Sequence, residues 1–441
     1  MHYLNEIKNK KITVLGLGVT GLGIVRFLLS HGFTPNVVDS RENPPGIDWL
    51  KQHAPMLTTH FGDLNNAELC KSEMIIISPG LSLTIEAIAQ AINSGVEVIG
   101  DVELFTRINT KPIVAVTGSN GKSTVVTLAY EVLKTAGYKV ALGGNIGTPV
   151  LDLLEGDFDV YVLELSSFQL DTMHSLKATS ATVLNISEDH LDRYDSYQAY
   201  IASKLSIYNN AELVITNADD KATQSNVKNQ YVFGAEKGDY TLGRYDNQAY
   251  FMVKGDPFLP VSTLAVMGKH NYLNTLAVLA LLSPFNISKA QYKKAFSEFK
   301  GLAHRCQFVT EREGVKYFND SKATNVGATI AAIDSLASSE NELIVIAGGD
   351  AKGADLSTLK PYLEKHVKAF ICFGKDANDL MTLTDKAYLT TNMNEAVTLA
   401  KQLSEPGNIV VLAPACASID MYNNYMQRGE HFVQCVMQAL I

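Results

Sequence analysis

The stretch Ile113-Val114-Ala115-Val116-Thr117-Gly118-Ser119-Asn120-Gly121-Lys122-Ser123-Thr124 decides the reading of the fold. An apolar, β-branched run feeds a glycine-rich turn that ends in Lys-Ser-Thr, the order of a buried strand, a phosphate loop and a helix start. In such a turn consecutive backbone N–H groups and a helix N-terminus point at one anion. Lys122 adds a point charge, and Ser123 or Thr124 offers a hydroxyl to Mg²⁺. The loop is shortened: the full pattern places a glycine five residues before Gly121, where this chain has Val116. Gly118 and Gly121 then supply the turn. The segment predicts a protein that handles a nucleoside triphosphate.

Outward from this loop, short β-branched runs alternate with longer helical stretches, the pattern of parallel sheets covered by helices. The first block offers strands at Ile12-Thr13-Val14-Leu15, Asn36-Val37-Val38 and Met74-Ile75-Ile76-Ile77, with a helix over 20–31. The second opens with the loop and continues through strands over 158–163, 182–184 and 213–215. Residues 231–261 differ. Short alternating runs broken by Gly234, Gly238, Gly243 and Gly255 predict a small antiparallel insert, followed by a helix over 271–282. The third block, after Lys300-Gly301-Leu302, has strands over 342–346, 369–373 and 408–412. The fold class is α/β in three domains, each a mainly parallel, doubly wound sheet. Residues 1–105 form a Rossmann-like first domain, 106–302 a central P-loop domain and 303–441 a Rossmann-like last domain, with hinges expected near 106–112 and 300–304.

The bulk properties agree. A chain of 441 residues fits about three domains. Its 46% hydrophobic and 19% charged residues are those of an ordinary soluble protein, and its net charge of −9 argues against a general nucleic-acid binder. The start, Met1-His2-Tyr3-Leu4-Asn5-Glu6, lacks a signal pattern, and the longest apolar stretch, around 276–282, is too short to span a bilayer. Cys70, Cys306, Cys372, Cys416 and Cys435 have no paired spacing for zinc and are odd in number, which predicts reduced thiols and a cytoplasmic location.

Gly16-Leu17-Gly18-Val19-Thr20-Gly21 is a complete G-x-G-x-x-G between a strand and a helix, and Asp39 ends the next strand. On spacing alone this is the dinucleotide fingerprint. Physically it requires only an anion near the glycines and a hydroxyl or imide N–H near Asp39, which any nucleotide diphosphate supplies, including a UDP-sugar. No hydride-transfer machinery accompanies it, so NAD ranks below another diphosphate.

In the middle block, the strand Asp159-Val160-Tyr161-Val162-Leu163 ends in Glu164, where a Mg²⁺ ligand belongs beside a phosphate loop. Asn185-Ile186-Ser187-Glu188-Asp189-His190-Leu191-Asp192-Arg193-Tyr194 follows another such strand. Its His190 is a satisfied loop histidine or a metal or phosphate contact, and spacing does not choose between them.

The loop, the Glu-Leu-Ser-Ser-Phe-Gln-Leu segment at 164–170 and the Glu-Asp-His-Leu-Asp-Arg-Tyr segment at 188–194 together resemble the Mur ligases. These are cytoplasmic, ATP-dependent amide-forming enzymes that build the peptide stem of peptidoglycan. Further matches are His270-Asn271-Tyr272-Leu273-Asn274, Gly301-Leu302-Ala303-His304-Arg305, Asn319-Asp320-Ser321-Lys322-Ala323-Thr324-Asn325 and Leu412-Ala413-Pro414-Ala415-Cys416-Ala417-Ser418, in the family's order. The 16–21 start, the segment 348–355 and the ending around 418–429 resemble the D-glutamate-adding branch. The Asp-Asn-Pro-Arg box of the diaminopimelate- or lysine-adding relatives is missing.

The resemblance implies a two-step reaction on UDP-N-acetylmuramoyl-L-alanine, ATP and D-glutamate through an acyl phosphate, by a monomer. It implies that Gly118, Ser119, Asn120, Gly121, Lys122, Ser123 and Thr124 hold the ATP phosphates, and that Asn274, Arg305 and Asp320 meet the rest of ATP. Ser123 or Thr124, Glu164 and His190 match Mg²⁺ positions, two sites in all. Lys204, on sequence alone a surface helix lysine, matches a lysine carbamylated by CO₂ into a metal ligand. Gly18, Val19, Thr20, Asp39, Arg41, Gly80, Asn145 and His190 match contacts to the UDP-substrate. Lys322, Thr324, Lys352 and Ser418 match the face that receives D-glutamate. Tyr425 stands there where Phe is common. A folylpolyglutamate-type ligase would share the loop and chemistry but is not expected to carry the 16–21 domain. An NAD-dependent oxidoreductase would leave the triphosphate loop unexplained.

Overall fold

The computed structural model describes residues 2–189, 193–266, 268–337 and 341–439. Three mainly parallel sheets give a mixed α/β fold of three domains. The first sheet has five parallel strands in the order Thr59–Phe61, Asn36–Asp39, Ile12–Leu15, Met74–Ile77, Glu97–Gly100. Its central strands are rich in apolar residues, and Met74–Ile77 is wholly apolar, because both faces are covered. Val14, Val37, Met74 and Ile76 enter one core, and Leu15, Val38, Ile75 and Ile77 another.

The second sheet has nine strands, in the order Asp256–Pro260, Gln248–Val253, Tyr240–Tyr245, Gln230–Phe233, Val214–Asn217, Ser180–Val183, Ile113–Thr117, Val160–Glu164, Val140–Gly144. The stretch expected as a small antiparallel insert instead extends this sheet. Gln230–Phe233 lies parallel beside Val214–Asn217, and only the last two pairings, over 240–260, are antiparallel. Those hairpins turn at Asp246-Asn247 and Lys254-Gly255, where both residues have positive φ, the geometry that suits a two-residue hairpin. The carboxyl ends of Ser180–Val183, Ile113–Thr117, Val160–Glu164 and Val140–Gly144 lie side by side, so the segments that follow these strands meet.

The third sheet has six strands, in the order Gln307–Arg312, Val315–Asn319, Ile409–Leu412, Leu343–Gly348, Val367–Phe373, Ala387–Leu389. Only the first pairing is antiparallel. Separate cores cover its two faces.

The chain forms two compact units, one carrying the first and second sheets and the other the third. In the first unit the helix Asp101–Ile108 links the two sheets. Its buried Glu103 carboxylate accepts the N–H groups of His174 and Ser175 at 2.8 and 2.9 Å. Among the described residues no helix is long and apolar enough to cross a membrane.

Candidate active site

The strand Ile113–Thr117 is buried throughout and delivers the glycine loop to the helix Lys122–Thr135. Gly118 and Gly121 sit at φ +145° and +86°, conformations that side chains rarely adopt. A Cβ on Gly121 would stand 2.7 Å from the Asn274 side-chain oxygen, so the expected ATP contact on the helix Lys269–Leu281 does come to the loop. Lys122 folds back, its Nζ donating to the carbonyls of Gly118 at 2.7 Å and Ser119 at 2.9 Å. These bonds hold the ammonium against the loop. Thr124 is buried on the first turn of the helix.

Glu164, the last residue of its strand, is 2% exposed. One carboxylate oxygen accepts from the Ser123 hydroxyl at 2.6 Å and the other from the Asn145 amide at 2.9 Å. Asn145 N–H also donates to the Glu164 carbonyl at 2.8 Å. The cluster thus offers a hard, buried carboxylate and a hydroxyl beside a phosphate loop, the donor class that suits Mg²⁺, which keeps waters and phosphate oxygens as its other ligands. Among the described residues no group of three or more His, Cys, Asp or Glu side chains is placed to hold a metal. The other expected contact, His190, lies outside the described residues.

Lys204 is not the surface lysine its sequence position suggests. It is 2% exposed, its Nζ donates to the Gly118 carbonyl at 3.2 Å, and the ammonium lies 4.7 Å from the centre of the Tyr200 ring. The Tyr200 hydroxyl is 3.1 Å from the Ser119 hydroxyl. The helix Tyr197–Leu205 therefore props the loop from beneath with two side chains four residues apart, on one face. Sequence reading missed Tyr200 and also Asn185, which meets the loop backbone from the end of a neighbouring strand.

In the first sheet, the glycine pattern is a packing requirement: a Cβ on Gly21 would lie 1.7 Å from the Gly16 carbonyl oxygen. Gly18 caps the helix Val19–Ser30, where Val19 is 78% exposed and Thr20 half-buried. Asp39 is buried and accepts from Leu17 N–H at 2.6 Å and from the Arg41 guanidinium at 2.9 and 2.7 Å. Burial opposes its ionisation, but these hydrogen bonds outweigh it and hold the carboxyl below its ordinary range. Asp39 thus fixes Arg41, whose side chain remains half exposed. The Gly80 carbonyl accepts from Arg193 at 3.0 Å, and that guanidinium stacks 4.4 Å over Phe168.

Arg305, Asp320, Lys322, Thr324, Lys352, Ser418 and Tyr425 all belong to the second unit. Lys322 lies 4.1 Å from the centre of the Tyr425 ring, a cation–π contact. Thr324 is half-buried and its N–H bonds the Lys322 carbonyl. Burial pushes the Asp320 carboxyl up to about 6 against the Cys306 N–H and the charge of Arg305. Ser418 is buried, and Lys352 is exposed at φ +52°. The two segments are bound together by paired backbone bonds between Asp350 and Ala417 at 3.0 and 2.8 Å. Beneath them Arg428 is 1% exposed. It donates to the Ser321 hydroxyl and carbonyl and to the Gly348 and Cys416 carbonyls, at 2.9 to 3.1 Å. Its signal was in the sequence. Arg428 occupies the apolar stripe of Phe432, Cys435 and Val436 on the helix Tyr425–Ala439, a position where a charge must find buried partners.

A parallel sheet that ends in a glycine loop, a Lys-Ser pair and a neighbouring strand-end carboxylate defines a P-loop nucleotide-binding protein. Three family models match in succession: "Mur ligase MurD-like, N-terminal domain" over residues 10–100, "Mur ligase middle domain" over 116–282, and "Mur ligase, glutamate ligase domain" over 304–416. The chain belongs to the Mur ligase family. It is 78% identical over 442 residues to the UDP-N-acetylmuramoylalanine--D-glutamate ligase of Pseudoalteromonas translucida, covering 99% of each chain. It is 46% identical to the Haemophilus influenzae protein of that name, covering 98% of this chain and 100% of the other. Among solved structures, the UDP-N-acetylmuramate-alanine ligase MurC of Thermotoga maritima shares the fold with a TM-score of 0.60 at 21% identity, covering 98% of this chain and 100% of that one. MurF of Acinetobacter baumannii shares it with a TM-score of 0.62 at 16% identity, covering 98% and 92%.

Proposed function

We propose that the chain is an ATP-dependent ligase that adds D-glutamate to UDP-N-acetylmuramoyl-L-alanine in the synthesis of peptidoglycan precursors. The observation that carries this reading is the 78% identity, over essentially the whole chain, to a ligase named for that reaction. The loop, Glu164 and Asn145 cluster supports it chemically.

An L-alanine carboxylate oxygen forms a bond to the γ-phosphorus of ATP, and the bond from that phosphorus to ADP breaks. The D-glutamate amine then attacks the acyl carbon, loses a proton, and expels phosphate. Each step brings anions together, so fixed cations and N–H dipoles carry the catalysis. Lys122 and the amides at the start of its helix hold the β- and γ-phosphates, and Asn274, Arg305 and Asp320 hold the rest of ATP. Mg²⁺, held by Ser123 and Glu164 at one site and by His190 and a carbamylated Lys204 at the other, would neutralise phosphoryl oxygens. Asn145, Gly18, Val19, Thr20, Arg41 (set by Asp39) and Gly80 hold the UDP-substrate. Lys322, Thr324, Lys352 and Ser418 receive the two carboxylates of D-glutamate, with Tyr425 as an aromatic wall. In this reading residues 1–105, 106–302 and 303–441 serve the UDP-substrate, ATP and the amino acid in turn, in a cytoplasmic monomer.

The test is phosphate release from ATP with the purified protein. Release should require both UDP-N-acetylmuramoyl-L-alanine and D-glutamate. Release that needs neither, or that L-glutamate supports equally, would overturn the assignment.

A further inference from the structure

We infer that Asn185 is a positioning residue of the triphosphate loop, holding the backbone of Ser119 and Asn120 in the conformation that phosphate recognition uses. The inference rests on the reading of the loop as the ATP site. Asn185 uses its side-chain amide as if it were a peptide group. Its Oδ1 accepts from Asn120 N–H at 2.8 Å, and its Nδ2 donates to the Asn120 carbonyl at 3.0 Å. Its own carbonyl accepts from Ser119 N–H at 2.9 Å. The orientation of the amide is fixed by its partners, because a backbone N–H must meet the oxygen and a carbonyl must meet the nitrogen.

Asn185 is itself held on both sides. Leu184 N–H bonds the Thr117 carbonyl at 3.0 Å, and the Leu184 carbonyl accepts from the Asn217 amide at 2.8 Å. Ile186 N–H bonds the Asp220 carboxylate at 2.7 Å, and the Ile186 carbonyl accepts from the Tyr197 hydroxyl at 3.0 Å. The two residues that flank Asn185 are therefore fixed before its side chain reaches the loop.

This bracing answers the irregular spacing of the motif. With Val116 buried in the strand where the longer pattern has glycine, the loop has less backbone of its own with which to close. Asn185 supplies the missing bonds from outside. The N–H groups of Ser119 and Asn120 are turned toward Asn185, which fixes the turn that leads into the helix Lys122–Thr135.

No shorter or longer side chain reproduces the bridge. Ala removes both bonds, and Asp keeps the shape while replacing the Nδ2 donor with an oxygen that faces the Asn120 carbonyl. Loss of two hydrogen bonds that preset the loop predicts about a tenfold rise in KM for ATP in Asn185→Ala. The rise should be larger in Asn185→Asp. The KM values for the UDP-substrate and D-glutamate should stay within about twofold.

The experiment measures all three KM values in the full chain, and thermal unfolding with and without an ATP analogue. Support is a KM rise confined to ATP, with the shift produced by the analogue diminished. Equal rises in all three KM values, or an unchanged KM for ATP, overturns the inference. If the wild-type protein shows no shift with the analogue, the ATP reading fails instead, a result that the variants cannot mimic.

Discussion

The Nζ of Lys204 donates to the carbonyl of Gly118 at 3.2 Å, from a side chain almost wholly removed from solvent. A lysine buried under a phosphate loop is misplaced as a solubilising charge and well placed as a loop prop or, once carbamylated, as an anionic ligand. Lys204→Ala should abolish most of the ATP- and D-glutamate-dependent phosphate release. If carbamylation is the operative state, formate or acetate at high concentration should restore part of the rate. Wild-type turnover in Lys204→Ala would sink both roles, and loss without rescue would leave only the prop.

Gly121 carries a second prediction. At φ +86° a Cβ costs about 1–2 kcal/mol in strain, and here it would also press on the Asn274 side chain. Gly121→Ala should raise KM for ATP by about 5- to 30-fold and leave the D-glutamate KM unchanged. Steady-state kinetics with each substrate varied in turn checks this, and an unchanged KM for ATP would mean that the loop does not touch nucleotide.

Much of the fold could be read from the chain because buried parallel strands announce themselves. Met74–Ile77 and Leu343–Gly348 are apolar on both faces, which no solvated strand tolerates. Thr59–Phe61 and Ala387–Leu389 are short edge strands with mixed faces, and their identity depends on a neighbour to pair with. The meander over 240–260 was legible as antiparallel, but its attachment to the central sheet rests on Gln230–Phe233 pairing with Val214–Asn217, a contact that local pattern does not encode. The site divides in the same way. Gly118, Lys122 and Glu164 show in the sequence because their chemistry is tied to local order. Asn185 and Tyr200 do not, since each acts on a loop some 65 or 81 residues away.

Asp101 makes stability depend on pH. It begins the helix Asp101–Ile108 at 4% exposure, and its Oδ1 has no hydrogen-bond partner among the described residues. Burial pushes its carboxyl from an ordinary 3.8 up to about 6, although the N–H groups of Val102 and of Asp101 itself pull it down. A value raised on folding means that the folded chain binds this proton more tightly. The resulting stabilisation is complete below pH 3.8 and is lost as pH rises through about 6. At pH 8 Asp101→Asn should therefore stabilise the protein by up to about 3 kcal/mol, because it removes a buried charge and keeps the acceptor. The gain in thermal midpoint over wild type should shrink between pH 8 and pH 5. A difference that stays constant across that range would refute the assignment.

Arg428 gives the largest expected loss. Its guanidinium joins Ser321, Gly348 and Cys416, residues that lead into Lys322, the Lys352 turn and Ser418. Burial lowers its proton affinity to about 10, and it stays charged at neutral pH. Arg428→Met fills much of the same volume and strands the Ser321 hydroxyl and three carbonyl oxygens without donors. At roughly 1 kcal/mol or more for each, the cost should be about 3–5 kcal/mol. Arg428→Lys keeps the charge but loses the planar fork, and should fall between wild type and Arg428→Met. Thermal unfolding measures the stability order. The KM for D-glutamate, measured at a temperature where both variants remain folded, tests whether the loosened segments carry the amino-acid face. It should rise more than the KM for ATP, and equal effects on the two would limit Arg428 to holding the fold.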